Sequence, residues 1–136
     1  MAVRRFSPQG LLQPTPYHHV AVGTGTRIVY VAGQTASVPA GPPVDADDLA
    51  GQVAQTLRNT ATALAGAGAT FDNVVRMTFY VTSWTPDQIG PFMDGADSVA
   101  DEIGLPMPMP PASLIGVEHL FEPAVLVELE VTAILD

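Results

Sequence analysis

Glu128 and Glu130 stand two residues apart near the end of the chain, and in an extended strand that spacing puts both carboxylates on one face. The chain has fourteen acidic residues, five arginines and no lysine. No ammonium group is available to relieve their repulsion, so a merely solvated pair is costly. Tyr17, His18 and His19 form a second group. Neighbours in a strand point to opposite faces, so the two histidines cannot share a metal; with no cysteine and no His-x-His, the pattern calls for no metal. His19 or its neighbour could still face a cleft as a proton donor or acceptor near neutral pH. Ser113 has no Gly-x-Ser-x-Gly around it and reads as a strand-edge hydroxyl, whereas Gly33 and Gly116 read as points of close backbone approach. Gly23-Thr24-Gly25 precedes a strand, which makes it a turn and not a phosphate loop.

The elements that position these residues follow from periodicity. His19 to Val22 and Arg27 to Ala32 are apolar runs about a glycine turn and predict a hairpin. In the second run Val29 and Val31 share one face and Ile28, Tyr30 and Ala32 the other, so both faces are expected to be covered. Asp45, Asp47 and Asp48 introduce a helix from about Asp47 to Ala65, with Leu49, Val53, Leu57 and Leu64 on its buried side. Val74 to Thr82 is rich in β-branched and aromatic residues and predicts a strand. Pro86 and Asp87 open a second helix that carries Ile89, Phe92, Met93, Ala96, Val99 and Ile103 on one stripe. The prolines of Leu105 to Pro111 exclude helix there. Ala112 to Val117 and Ala124 to Ile134 are the closing strands, giving β-β-α-β-α-β-β, an α+β class with two helices on one face of a sheet.

A chain of 136 residues is one domain, read as 1–136. Its net charge of -9 repels a phosphate backbone, which argues against nucleic-acid partners, and the absence of lysine excludes Schiff-base chemistry. Ser7, Pro8, Gln9 and Gly10 break the apolar run that an export signal after Arg4 and Arg5 would need, and no later stretch approaches a membrane span. The expected location is cytoplasmic. On the last strand Leu126, Glu128, Glu130, Thr132 and Ile134 mix apolar and acidic groups on the face away from the helices, which predicts cover by another subunit.

Several short motifs, in this order, resemble the Rid family, the YjgF-like reactive intermediate deaminases. Thr15-Pro16-Tyr17-His18-His19 resembles the family's Gly-Pro-Tyr-Ser-Gln, and Ala32-Gly33-Gln34 its Ser-Gly-Gln. Val74-Val75-Arg76-Met77-Thr78 resembles its Val-Val-Lys-x-Thr strand, and Val127-Glu128-Leu129-Glu130 its Val-Glu-Ile-Glu. The resemblance implies a chorismate mutase-like fold, a homotrimer with small-molecule clefts between subunits, and no cofactor. It also implies that Glu128 holds the hydrolytic water and exchanges a proton with the substrate nitrogen, and that Tyr17, His19, Gly33, Ala112 and Ser113 line the cleft.

One motif departs. Where the family has Pro-Ala-Arg-Ser, whose arginine clamps a substrate carboxylate, this chain reads Pro110-Pro111-Ala112-Ser113. A methyl group cannot replace a planar, bidentate, permanently charged donor. Pro91 and the proline-rich segment before Ala112 are expected to reshape the cleft wall. The reading is therefore a divergent Rid protein that binds or transforms a small imine- or enamine-like metabolite without a carboxylate clamp. The alternatives are a deaminase of the usual kind with a substitute arginine, a non-catalytic structural or regulatory partner and, disfavoured by charge, an endoribonuclease.

Overall fold

The computed structural model describes residues 3–136. Six strands and two principal helices run in the order β1 (Val3–Phe6), β2 (Val20–Gly23), β3 (Arg27–Gln34), α1 (Leu49–Gly66), β4 (Val74–Thr82), α2 (Ile89–Ile103), β5 (Ala112–Val117) and β6 (Val127–Leu135). This is the expected α+β arrangement with one more strand at its start. The four-stranded sheet has the order β3-β6-β4-β5, in which only β4 and β5 run parallel.

Asp48 caps α1, its Oδ1 accepting from Gly51 N at 2.8 Å, which satisfies one of the amides a helix start leaves unpaired. Val53, Leu57 and Leu64 then face inward at helical spacing, each 1% exposed or less. Truncating Leu57 to alanine would cost ~2–5 kcal/mol through lost burial and an unfilled cavity. Pro91 sits in the first turn of α2, where its missing N–H breaks no helical bond. Gly95 lets α2 lie against α1, since a Cβ there would be 2.4 Å from Ala50 O. Phe92, Ala96 and Val99 bury the stripe as expected, but Ile89 is 48% exposed at the helix end.

Alternation on β6 is as the sequence predicts. Val127, Leu129, Val131 and Ala133 are buried beneath the helices, and Glu128, Glu130, Thr132 and Ile134 face the other way. Two expectations are corrected. The predicted hairpin does not form: β2 pairs antiparallel with β1, Val3 opposite Gly23, and β3 pairs with β6. The backbone of β2 finds its partners in the N-terminal arm, and the following turn passes the end of β6, where Thr26 N donates to Leu135 O at 2.9 Å. Nor are both faces of β3 covered within the chain, for Ile28 is 57% and Tyr30 76% exposed on the side away from the helices. Among the described residues no helix is long and apolar enough to cross a membrane.

Candidate functional site

Of the six residues singled out by sequence, five fall into two places on opposite faces of the sheet. On the helix side, Tyr17, Ala112 and Ser113 line a cavity of about 90 Å³ together with Phe79, Phe92, Met93 and Met109. Sheet register explains the wall. Ala112 pairs with Met77 and Leu114 with Phe79, both partners fully buried among the core side chains, so Ala112 and Leu114 face the helices. Phe79 and Phe92 meet edge to face with centroids 4.9 Å apart, fixing the floor.

Tyr17 is held there by the proline-rich segment. Pro108, Pro110 and Pro111 have no N–H, so the amide of Met109 is the donor among them, and it reaches Pro16 O at 2.8 Å. His18 N returns a 2.8 Å bond to Met109 O, completing a parallel bridge of Tyr17 with Met109. Met109, 2% exposed, is part of the cavity wall.

On the other face Glu128 is half-buried against β3. A Cβ built on Gly33 would stand 2.3 Å from Glu128 Oε2, so the carboxylate rests on the space that glycine leaves. Gly116 allows a similar approach, with a Cβ there 3.2 Å from Trp84 Cβ. Beside Glu128 is Tyr80, its cross-strand partner on β4. The Tyr80 hydroxyl donates to Glu130 Oε1 at 2.7 Å. That bond first, then burial and the charges of Glu130 and Glu128, hold the phenol above the ordinary tyrosine range, with Arg76 pulling the other way. Tyr80 thereby relieves the carboxylate repulsion that no lysine could.

Arg76 lies on this same face, lining a hollow of about 520 Å³ with Tyr30, Thr78, Glu130 and Thr132. Its guanidinium donates to Ser113 Oγ at 2.5 Å. An arginine thus does approach the strand that carries Ala112, which sequence separation hid, yet it faces away from the cavity beneath Ala112. His19 stands apart from both places. Its ring is edge-on to Tyr17 at 5.3 Å, and Nε2 is 2.8 Å from Leu12 O, so it ties down the N-terminal arm. Among the described residues no three His, Asp or Glu side chains gather as metal ligands would.

Sequence reasoning missed Met109, Tyr80, Arg76 and Gln52. Gln52, 3% exposed, donates through Nε2 to Asp45 O at 2.7 Å and Ala124 O at 2.9 Å, and its Oε1 accepts from Leu126 N at 2.9 Å. It fixes the entry to β6, two residues before Glu128. A buried glutamine on a helical stripe was the available signal.

The endoribonuclease L-PSP family model matches residues 10–135. A Yersinia pestis protein of unknown function from the Rid family is 32% identical over 99% of this chain and 100% of its own, with a TM-score of 0.85. A Mycobacterium tuberculosis member of the YjgF family is 28% identical over 98% of this chain and 99% of its own, with a TM-score of 0.61. The YjgF product of Escherichia coli, at 23% identity over 97% of this chain and 94% of its own and a TM-score of 0.68, shares the fold. No curated protein matches significantly.

Proposed function

This chain belongs to the endoribonuclease L-PSP family, the YjgF/Rid proteins, and on that premise we propose that it binds or transforms a small imine- or enamine-like metabolite in clefts between the subunits of a homotrimer. The observation that carries this reading is the division of the candidate residues between two faces. Glu128 rests on Gly33 on the open face, while Tyr17 and Ala112 line the cavity under the helices. Glu128 and Ala112 point to opposite faces of the sheet, so one chain alone does not turn the two sets toward one ligand. A neighbouring copy laid across the open face brings one chain's Glu128 to the rim of another's cavity.

In that cleft Glu128 holds the attacking water and takes its proton, and the proton is returned to the substrate nitrogen as the C–N bond breaks. An imine and one water give a carbonyl compound and ammonia. Tyr17 orients the substrate. The family's carboxylate clamp is absent, so imines that carry a carboxylate are poor ligands. The family name includes an RNA-cleaving activity, and the net charge of -9 disfavours it.

Light scattering at micromolar concentration should give three times the 14.2 kDa chain mass. Glu128→Gln should keep that mass while abolishing turnover or weakening ligand response. A stable monomer, or a variant that matches the parent in every ligand assay, would refute the proposal. A second reading has one observation in its favour: Arg76 hydrogen-bonds Ser113, next to Ala112, and could serve as a substitute clamp for a deaminase of the usual kind. Efficient ammonia release from carboxylate-bearing imines that is lost in Arg76→Ala would select it.

A further inference from the structure

The cavity beneath Ala112 carries information about the ligand that the family reading leaves open. Its walls are aromatic rings, thioethers and methyl groups: Tyr17, Phe79, Phe92, Met93, Met109 and Ala112. None of its lining residues is charged, and Ser113, whose Oγ accepts from Arg76 on the other face, turns its hydroxyl away from the cavity. An anionic group entering this space would leave its water shell with no cation or convergent N–H groups to replace it. A dry apolar cavity of ~150 Å³ can hold benzene; one of about 90 Å³ suits a branched group of roughly three or four carbons.

We infer that this cavity takes an uncharged, branched aliphatic arm of the ligand, and that the protein selects neutral small molecules over their carboxylate counterparts. The inference rests on the cleft reading above only for where the reacting end lies, since the arm itself is recognised by one chain. Close packing gives it specificity as well as sign. Phe79 and Phe92 are locked edge to face, and Met109 is fixed by the bridge to Tyr17, so the wall cannot open freely for a larger ring.

The test uses the parent protein with methyl-¹³C methionine, and isovaleramide and isovalerate as shape-matched neutral and anionic probes. Met93 and Met109 report on the cavity, while Met107 is a control outside it. Isovaleramide should shift the Met93 and Met109 signals saturably, and isovalerate should bind on the order of tenfold more weakly or less. Ala112→Leu fills the space with hydrocarbon and should abolish the amide response while far-UV circular dichroism stays native. Ala112→Arg should reverse the preference in favour of isovalerate.

Equal or tighter binding of isovalerate to the parent overturns the inference. So does silence of both methionines up to the solubility of the amide, an amide response that survives in Ala112→Leu, or signals that move with protein concentration and not with amide, which would mean that a neighbouring copy fills the cavity. Failure of the cleft reading looks different. The amide would still bind selectively, but Glu128→Gln would change neither binding nor turnover.

Discussion

Replacing Gln52 by leucine tests whether the entry to β6 is held by one buried amide. Leucine nearly preserves the volume, so the loss is of hydrogen bonds and not of packing. Three backbone groups lose their partner: Asp45 O, Ala124 O and Leu126 N. Asp45 is exposed and its carbonyl can turn to water, but Ala124 and Leu126 are partly covered. An unsatisfied buried group costs ~1–3 kcal/mol, and two of them, less the small gain from burying hydrocarbon, leave ~2–4 kcal/mol. For a chain of this size that is a fall in melting temperature of roughly 10 °C. The assay is urea denaturation followed by circular dichroism at fixed protomer concentration, because subunit association would add to apparent stability. Amide exchange at Leu126 gives the local readout and should quicken in the variant. An unchanged denaturation midpoint with Leu126 still protected would refute the reasoning.

Gly33→Ala should leave stability within about 1 kcal/mol, because the clash falls on the flexible end of Glu128 and not on backbone, yet it should displace the carboxylate and reduce turnover or ligand response as Glu128→Gln does. Denaturation and the ligand assay together check it. Arg5→Ala should detach the N-terminal ribbon, since one guanidinium nitrogen donates to Phe71 O, Asp72 O and Val74 O at 2.8–2.9 Å; faster amide exchange across β1 and β2 is the expected signal. Arg58 and Glu102 form an exposed ion pair whose hydrogen bond holds the Glu102 carboxyl below its usual range. Its small stabilising effect is present above the unfolded carboxylate pKa and is lost as pH falls through the lower folded value, so Arg58→Ala should remove that acid-limb step from a stability profile without affecting the cleft.

What could be read from sequence was what periodicity encodes. The α1 and α2 stripes, the alternation of β6 and the exclusion of helix from the proline-rich segment each depend on spacing within one element, and each is present in the structure. Pairing between elements is a different matter. Val20 to Gly23 reads equally well as a partner for the strand that follows or for the four residues Val3–Phe6, which are too short and too arginine-rich to announce a strand. The same gap concealed Arg76, whose approach to Ser113 depends on a β4–β5 register between residues 37 apart. Gln52 and Tyr80 were visible as residue types, but their partners are backbone and carboxylate groups brought in from distant segments.

The alternation of strands carries the argument about the site further than any single residue does. Because β6 alternates strictly, Glu128 is committed to the face opposite Leu129, and Leu129 is committed to the core. Because β4 and β5 run parallel in the observed register, Ala112 follows Met77 to the helix side. A one-residue slip of β6 would bury Glu128 and Glu130 and expose Leu129 and Val131. Tyr30, 76% exposed, and Ile28, 57% exposed, lie on the same open face as Glu128, so an arrangement that covers them also encloses the carboxylate. Under the proposed function, assembly and completion of the cleft are then one event. Dilution below the concentration at which the subunits dissociate should abolish turnover, or Glu128-dependent ligand response, together with the loss of solvent protection at Tyr30. Activity that persists in a monomer with Tyr30 exposed would break that link.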